Sequence, residues 1–120
     1  MKRILLLIIF ALIFKAGPLY AERGVASWYS QSDVLEVRNV RTANGEVFDD
    51  TAKTCASLSY PYNTLLKVTN IRNNKSVIVR VNDRGPHPKF NRILDLTLGA
   101  FCIIEDPDAG LCEVKVEVLK

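Results

Sequence analysis

Short segments in which every second residue is a valine are the feature that most constrains this chain. In residues 76–82, and again in residues 114–118, every second residue is a valine. Side chains two residues apart lie on the same face of a β-strand. Each segment is therefore predicted to be a strand with one buried face. Such strands bury that face by closing into a barrel or by packing on a second layer.

The rest of the chain supplies further short elements. In chain order they are a strand at 24–29, a long polar loop at 30–50, a strand at 64–70, a turn at 70–75, a short buried segment at 93–96, a brief helix that Thr97 caps and that ends near residue 103, and an acidic loop at 105–110. The strands on either side of the turn form a predicted β-hairpin, and Gly85-Pro86 ends its second strand. This pattern, mostly β with one or two helical turns, indicates a small barrel.

The first 21 residues have the three-part layout of a secretory signal peptide. Two basic residues follow Met1, residues 4–14 are uncharged, and Ala21 is a small residue at the expected cleavage point. A membrane-spanning helix needs about 20 apolar residues, which this run does not reach. We predict cleavage after Ala21, so that residues 1–21 are a signal peptide and residues 22–120 are one domain. Leu19 is larger than the residue preferred near a cleavage point, so an uncleaved anchor is the alternative.

Charge and composition exclude several classes of partner. The chain has 16 basic and 13 acidic residues, and three of the basic ones lie in the predicted signal peptide. The remaining balance gives no reason to expect nucleic acid or an acidic membrane surface as a partner. No cysteine lies near the predicted cleavage point, so a lipid anchor is not expected. Without a phosphate-binding glycine loop or a metal-ligand spacing, no nucleotide, metal or other cofactor is expected, and we expect a monomer.

All three cysteines, Cys55, Cys102 and Cys112, follow the predicted signal peptide. Export permits disulfides, and three cysteines allow a single bridge. We predict a bridge between Cys102 and Cys112, because it would close a short loop and contribute about 3 kcal/mol in the chain-entropy model. The alternative is that all three cysteines are small buried apolar side chains.

Five pieces of sequence occur in an order that resembles a known family. They are Gly24 to Tyr29 (GVASWY), Thr42 to Glu46 (TANGE) with Phe48-Asp49, Tyr60 to Thr64 (YPYNT) with Val68 to Asn70, Val79 to Pro86 (VRVNDRGP), and Ile93 to Leu96 (ILDL). Together they resemble the rare lipoprotein A (RlpA) family. The resemblance implies a six-stranded double-psi β-barrel in the periplasm or cell envelope. It also implies a lytic transglycosylase that cleaves peptidoglycan glycan strands, preferably those stripped of stem peptides.

The chain departs from this pattern at one position that matters for chemistry. Where the family has an active-site histidine, counting back from Pro61 places Ser57. A serine hydroxyl forms hydrogen bonds but does not titrate near neutral pH. A second hypothesis is therefore a non-catalytic, expansin-like module that binds cell-wall glycan. A third, a secreted structural or inhibitor domain, rests only on size and cysteine content.

Asp83 and Glu46 are the predicted catalytic residues. Cleaving a glycosidic bond requires a proton for the leaving oxygen and support for a cationic transition state. The sugar's own 6-hydroxyl can attack, giving a 1,6-anhydro end, so that one carboxyl group acts first as acid and then as base. Asp83 follows an apolar strand, where a groove would partly shield its carboxyl from water, and the resemblance gives it an active-site role. Glu46, after Asn44-Gly45, is expected to orient the sugar, stabilise the cation or share the proton.

Six further residues are predicted to bind the glycan: Tyr29, Asn44, Ser57, Asn82, Arg84 and His87. Tyr29 would stack a ring on a sugar. His87 is the only histidine of the chain and is expected either to approach the groove in place of the missing one or to stay exposed between two prolines. Asp95, within an apolar run, is expected to bond backbone amides and to have a structural role.

Overall fold

A computed structural model of the protein describes residues 21–30 and 40–120. Apart from Ala21, the predicted signal peptide lies outside the described residues. Residues 31–39 of the predicted long loop also lie outside them. Neither described range contains a helix that is long and apolar enough to cross a membrane.

Six strands and one short helix form the described domain. The strands are β1 (Ala21–Tyr29), β2 (Thr54–Ala56), β3 (Leu65–Asn70), β4 (Ser76–Asp83), β5 (Leu94–Thr97) and β6 (Leu111–Val118), and the helix is α1 (Leu98–Ile104). Two single turns of 3-10 helix, Pro88–Phe90 and Pro107–Ala109, lie in the connections.

The six strands close into a barrel in the order β1-β5-β2-β4-β3-β6. Two strand pairs, β1 with β5 and β2 with β4, are parallel, and the other four neighbouring pairs are antiparallel. Parallel neighbours cannot be joined by a tight hairpin. The chain therefore crosses over between strands that are distant in sequence, and these crossings bring the ends of β1, β2, β4 and β5 together.

Alternation in the strands places the core inside the barrel. The valines at 77, 79 and 81 of β4 and those at 114 and 116 of β6 are at most 5% exposed, whereas Ile78 on the opposite face of β4 is 52% exposed. Helix α1 closes one side of the core with Ala100, Phe101 and Ile104. The hydrophobic effect thus selects the register, because a slip of one residue would expose every valine.

The predicted elements agree well with the observed ones, with one strand missed. The hairpin of β3 and β4 is confirmed, and Thr97 caps α1 by accepting a hydrogen bond from the Ala100 amide at 3.3 Å. Strands β1 and β6 each begin three residues earlier than predicted. The sequence analysis assigned no strand to β2, which has only three residues and therefore too little sequence to show a period.

The predicted disulfide between Cys102 and Cys112 is not formed. All three cysteines are free, and each lies in the described part of the chain. Cys102 is on the exposed side of α1, whereas Cys112 on β6 belongs to the core cluster inside the barrel. The two side chains therefore face different environments. The buried alternative holds for Cys55 and Cys112 and fails for Cys102.

Asn70, at the end of β3, ties the hairpin to the end of helix α1. Its side chain is 1% exposed, and its Nδ2 donates to the Ile104 carbonyl at 2.8 Å while its Oδ1 accepts from the Arg72 amide at 2.9 Å. The last carbonyls of a helix have no partner within the helix. Asn70 supplies one, and Asn73 Nδ2 donates to the same carbonyl at 3.0 Å from a less buried position.

Replacing Asn70 should reveal the cost of leaving these buried groups without a partner. We expect Asn70→Ala to lower the free energy of unfolding by about 2–3 kcal/mol, because the lost hydrogen bonds leave buried polar groups desolvated. Asn73→Ala, the matched control, should cost about 1 kcal/mol or less, since water can replace the lost donor. Urea unfolding of both variants makes the comparison, and equal losses would contradict the role given to Asn70.

Candidate active site

A row of four residues crosses four neighbouring strands at one end of the barrel. Ser27 on β1 pairs with Asp95 on β5, Asp95 pairs with Ala56 on β2, and Ala56 pairs with Asp83 on β4. Neighbouring strands lie about 4.8 Å apart, so the two aspartates, with β2 between them, have Cα atoms roughly 10 Å apart. The small side chain of Ala56 lies between them and leaves the space open.

A shift in register directs Asp83 into this row. Cys55 pairs with Val81, but the next residue of β2, Ala56, pairs with Asp83, so that Asn82 is left over on β4. Strict alternation would point Asp83 into the core with Val81, where an unpaired carboxylate is very costly. A bulge of this kind changes the direction of the side chains that follow it. Asp83 is therefore half-buried at the surface and not in the core.

A pocket of about 260 Å³ lies over this row. Its lining comprises Tyr29, Val40, Arg41, Phe48, Ala56, Asp83, Arg84 and Asp95. Three of these residues, Tyr29, Asp83 and Arg84, were predicted site residues. The others come from the loop after β1 and from β2 and β5, and sequence reasoning did not assign them to a site.

Three donors hold the carboxylate of Asp83. Its Oδ1 accepts hydrogen bonds from the backbone amides of Ala43 and Arg84, both at 2.9 Å. Its Oδ2 accepts a hydrogen bond from the Tyr29 hydroxyl at 3.3 Å. Hydrogen bonds to a carboxylate favour its charged form and fix its orientation. Asp83 is thus a fixed acceptor at the edge of the pocket.

Asp95 is the second carboxyl group of the pocket, and it bonds to a side chain where bonds to backbone amides were expected. It lines the pocket, and its Oδ1 accepts a hydrogen bond from the Ser27 hydroxyl, the residue beside it on β1. Leu94 and Leu96 on either side are completely buried in the core. Alternation along β5 therefore points Asp95 away from the core. The alternation of leucine and aspartate in this segment was the available signal. The sequence analysis instead assigned Asp95 a structural position within an apolar run.

Tyr29 reaches the pocket through its hydroxyl group. Its ring packs against Phe48, with the ring centroids 4.9 Å apart, and Phe48 is 6% exposed. Burial, followed by the nearby carboxylate of Asp83, raises the pKa of the Tyr29 phenol well above its ordinary value. The phenol therefore keeps its proton and remains a hydrogen-bond donor. Trp28, on the opposite face of β1, donates to the Pro107 carbonyl and lies away from this pocket.

Glu46 belongs to a separate cluster that supports the loop over the pocket. Arg80 donates to both oxygens of its carboxylate, each at 2.9 Å, and Asn82 Nδ2 donates at 3.0 Å. The Arg80 hydrogen bonds, then that of Asn82, lower the pKa of Glu46 to about 2. At neutral pH this carboxylate has no proton to share. Glu46 does not line the pocket, so the predicted proton-sharing role is not supported.

Asn44 and Asn82 also build this loop, in place of the sugar contacts predicted for them. Asn44 Oδ1 accepts a hydrogen bond from the Glu46 backbone amide at 3.2 Å. The backbone amide of Asn44 donates to the backbone carbonyl of Asn82 at 3.3 Å. Asn82 is 4% exposed, and its Oδ1 is buried with no hydrogen-bond partner in the described residues. The bulge at Asn82 and the turn at Asn44 therefore hold each other.

Ser57 is buried and does not face the pocket, so its predicted glycan contact is wrong. Its Oγ accepts hydrogen bonds from the amides of Ser59 and Tyr60, both at 3.1 Å, which closes a tight turn. Arg84 fixes the same turn by donating to the carbonyls of Ser57 and Tyr60 at 2.8 and 2.7 Å. The guanidinium group of Arg84 also lies 4.0 Å from the centre of the Tyr62 ring. Arg84 thus lines the pocket while its charged end is used locally.

His87 does not replace the missing histidine. Its Nδ1 accepts a hydrogen bond from the Lys89 amide at 3.2 Å and so caps the turn Pro88–Phe90. It is exposed and does not line the pocket. The exposed alternative for a histidine between two prolines is the correct one.

The pocket offers two carboxyl groups, a protonated phenol and arginine side chains, which together suit acid–base chemistry on a neutral polar substrate. Among residues 21–30 and 40–120, no three histidine, cysteine or carboxylate side chains come together in a way that would hold a metal ion.

Comparison with known proteins relates this site to cell-wall enzymes. The endolytic peptidoglycan transglycosylase RlpA of Campylobacter jejuni is 45% identical over 96 residues, covering 80% of this chain and 33% of the relative. The RlpA of Rickettsia bellii, of the same description, is 43% identical over 100 residues, covering 83% of this chain and 43% of that relative. This chain therefore spans less than half the length of either relative.

Two solved structures have the same fold. Streptomyces papain inhibitor matches with a TM-score of 0.66 and 15% identity, over 88% of this chain and 100% of the inhibitor. A mutant expansin of Clavibacter michiganensis, in complex with cellohexaose, matches with a TM-score of 0.62 and 21% identity, over 84% of this chain and 51% of the expansin. At these identities the likeness concerns the fold alone, and it confirms the six-stranded double-psi β-barrel.

The family itself follows from a match over most of the described domain. The family model for lytic transglycolase matches residues 21–116, which include β1 to β5, all but the last two residues of β6, the loop over the pocket and both aspartates. The resemblance found in the sequence is thereby confirmed, and the chain belongs to the lytic transglycolase family of double-psi β-barrel proteins.

Proposed function

We propose that this protein is a lytic transglycosylase that cleaves the glycan strands of peptidoglycan and leaves a 1,6-anhydro end. The observation that carries the proposal is the pair of carboxyl groups, Asp83 and Asp95, on either side of Ala56 in one pocket. The two relatives described above, from Campylobacter jejuni and Rickettsia bellii, are endolytic peptidoglycan transglycosylases. Neither group depends on the histidine that Ser57 replaces.

Asp95 is the proposed proton donor to the leaving oxygen. It receives one hydrogen bond from the described residues, that of Ser27, whereas Asp83 receives three. Asp95 Oδ2 therefore has no donor among the described residues, which leaves it open to the glycosidic oxygen. Protonation of the glycosidic oxygen lets the bond to the anomeric carbon break as positive charge develops on the sugar ring.

Asp83 is the proposed proton acceptor. As the glycosidic bond breaks, the 6-hydroxyl of the same sugar attacks the anomeric carbon, and Asp83 takes the hydroxyl proton. The nucleophile is part of the substrate and is already near, so no second substrate has to be bound. The sequence predicted a single carboxyl group that acts twice. With Asp95 present, two groups divide the proton transfers.

Glu46 contributes to this chemistry by holding the loop of residues 42–46 in place. Its ion pair with Arg80 and its bond to Asn82 hold residues 42–46 against the end of β4, and this places the Ala43 amide on Asp83 Oδ1. Since small displacements of a reacting group reduce rates strongly, we propose that Glu46 positions the base and does not touch the sugar.

A peptidoglycan substrate requires the protein to act outside the cytoplasm. This agrees with the proposed signal peptide at residues 1–21, whose removal would leave residues 22–120 as the exported domain. We propose that the protein acts in the cell envelope on glycan strands, with a preference for strands without stem peptides.

Replacing either aspartate should abolish cleavage. We expect Asp83→Asn and Asp95→Asn each to lower the initial rate of anhydro-product formation by at least about 100-fold, the usual contribution of a positioned acid or base. The measurement is digestion of soluble, peptide-free glycan strands, with products identified by liquid chromatography and mass spectrometry. Asp49→Asn is the control, because the bonds of Asp49 lie within its own turn, to Thr51 and Ala52, and the variant should keep its rate.

A good leaving group separates the two roles. A 4-methylumbelliferyl glycoside of a peptidoglycan oligosaccharide needs little acid assistance, so Asp95→Asn should recover most of its rate on it, whereas Asp83→Asn should not. The opposite rescue would reverse the assignment. If the folded wild-type protein binds insoluble peptidoglycan and releases no anhydro sugar, the barrel is instead an expansin-like binding module.

The Glu46–Arg80 pair should make stability depend on pH in a defined window. The folded pKa of Glu46, about 2, lies below its ordinary value of 4.5, so the stabilisation is complete above about pH 4.5 and is lost as the pH falls toward 2. Because the pair is partly exposed, the expected coupling at pH 7 is at most about 1 kcal/mol. A double-mutant cycle of Glu46→Gln and Arg80→Met, followed by urea unfolding, measures it. A coupling that is equal at pH 7 and pH 2.5 would contradict the ion pair.

A further inference from the structure

The side chain of Tyr29 spans the pocket from one side to the other. Tyr29 is the last residue of β1, and the strand that carries Asp83 is the third neighbour along the barrel, after β5 and β2. The Tyr29 hydroxyl nevertheless donates to Asp83 Oδ2 at 3.3 Å. The phenol therefore lies over the row of residues between the two aspartates.

The ring of Tyr29 is held in place by a buried neighbour. Phe48 packs on it with a centroid distance of 4.9 Å and an angle of 32° between the ring planes, and Phe48 is itself 6% exposed. Aromatic contacts of this kind restrict the orientation of both rings. One face of Tyr29 is thus covered, and its polar tip is aimed at a carboxylate.

The phenol keeps its proton in this environment. Burial and the carboxylates of Asp83 and Asp95, together with the Cys55 thiol, all raise its pKa, with burial the largest cause. Arg41 and Arg84 are the basic residues that line the same pocket. A phenol that stays protonated remains a donor across the pH range in which the protein acts.

The hydroxyl of Tyr29 also donates to a carboxylate oxygen of Asp83 to which no other described side chain donates. The backbone amides of Ala43 and Arg84 both donate to Asp83 Oδ1 and leave Oδ2 without a backbone donor. Ser57, where the family resemblance leads one to expect a histidine, is turned toward backbone amides. Within residues 21–30 and 40–120, Tyr29 is the side chain that donates to Asp83 Oδ2.

We propose that Tyr29 is a positioning residue for Asp83, which sets the direction of the carboxylate. This inference rests on the proposed function and adds to it how the base is held. Tyr29 is thereby given a different role from the sugar-stacking one expected from the sequence. A residue that only orients the base should affect turnover and leave substrate affinity unchanged.

The kinetic test uses Tyr29→Phe, which removes the hydroxyl and keeps the ring against Phe48. On soluble, peptide-free glycan strands we expect kcat to fall about 10- to 100-fold, the range given by misplacement of a reacting group, with KM unchanged. Thermal unfolding should confirm that the variant is folded. A raised KM with unchanged kcat would show that Tyr29 binds sugar. If kcat and KM of the variant equal those of the wild type, the hydroxyl has no role in the reaction. Either result overturns the proposal.

A second test does not depend on activity. The ¹³Cζ resonance of labelled Tyr29 is sensitive to the hydrogen bond that its hydroxyl donates, and it is compared at pH 7 between the wild type and Asp83→Asn. The resonance should shift in Asp83→Asn, because a neutral amide oxygen is a weaker acceptor than a carboxylate, and should stay in place in the control Asp49→Asn. An unshifted resonance in Asp83→Asn would disprove the contact.

The two tests separate this inference from the proposed function. If the wild-type protein makes no anhydro product, the transglycosylase assignment fails, while the Tyr29 resonance still decides whether Tyr29 and Asp83 interact. If the wild type is active but the resonance shows no interaction, the proposed function stands and the positioning role is lost.

Discussion

The one-residue shift in register between β2 and β4 is the constraint on which the rest of the site depends. The valines of β4 must point inward to form the core, and by the same alternation Asp83 would follow them there. The extra residue, Asn82, lets the same strand supply both a core face and a surface carboxylate. Without it, the barrel would have to bury a charge, which costs far more than the loss of one ladder hydrogen bond. The bulge therefore makes a stable core compatible with a carboxylate at the pocket.

The bulge in turn needs the loop that covers it. Asn82 is held by the Glu46 carboxylate and by the amide of Asn44, and the same loop brings the Ala43 amide to Asp83. Arg80, two residues before Asn82 on β4, fixes Glu46 from the other side. These polar contacts are individually weak at a partly exposed position. Their value is geometric, because one set of contacts determines both the strand irregularity and the direction of the carboxylate.

Much of the fold could be predicted from the sequence, but the site could be predicted only in part. Alternating valines and the Thr97 cap are local signals, and they gave the hairpin of β3 and β4 and the start of α1 correctly. The pocket depends on pairings between strands that are far apart in sequence, which no local pattern encodes. Asp95 looked structural because its neighbours are core leucines, and its partner Ser27 lies 68 residues away in the chain. The Cys102–Cys112 bridge was wrong for the same reason, since spacing along the chain does not show which way two side chains face.

The change at Ser57 illustrates how such a site can lose one group and keep its arrangement. Ser57 is fully buried, and its hydroxyl, together with the guanidinium of Arg84, closes the turn that follows β2. An imidazole is larger than a hydroxymethyl group, so a histidine at this position would have to displace that turn or point into the pocket. With serine the turn closes on itself, and the space beside Asp83 is crossed by the phenol of Tyr29. A phenol with a raised pKa differs from an imidazole in that it donates a hydrogen bond without exchanging its proton near neutral pH. In the proposed mechanism the proton transfers then fall to the two aspartates, and the tyrosine contributes direction alone.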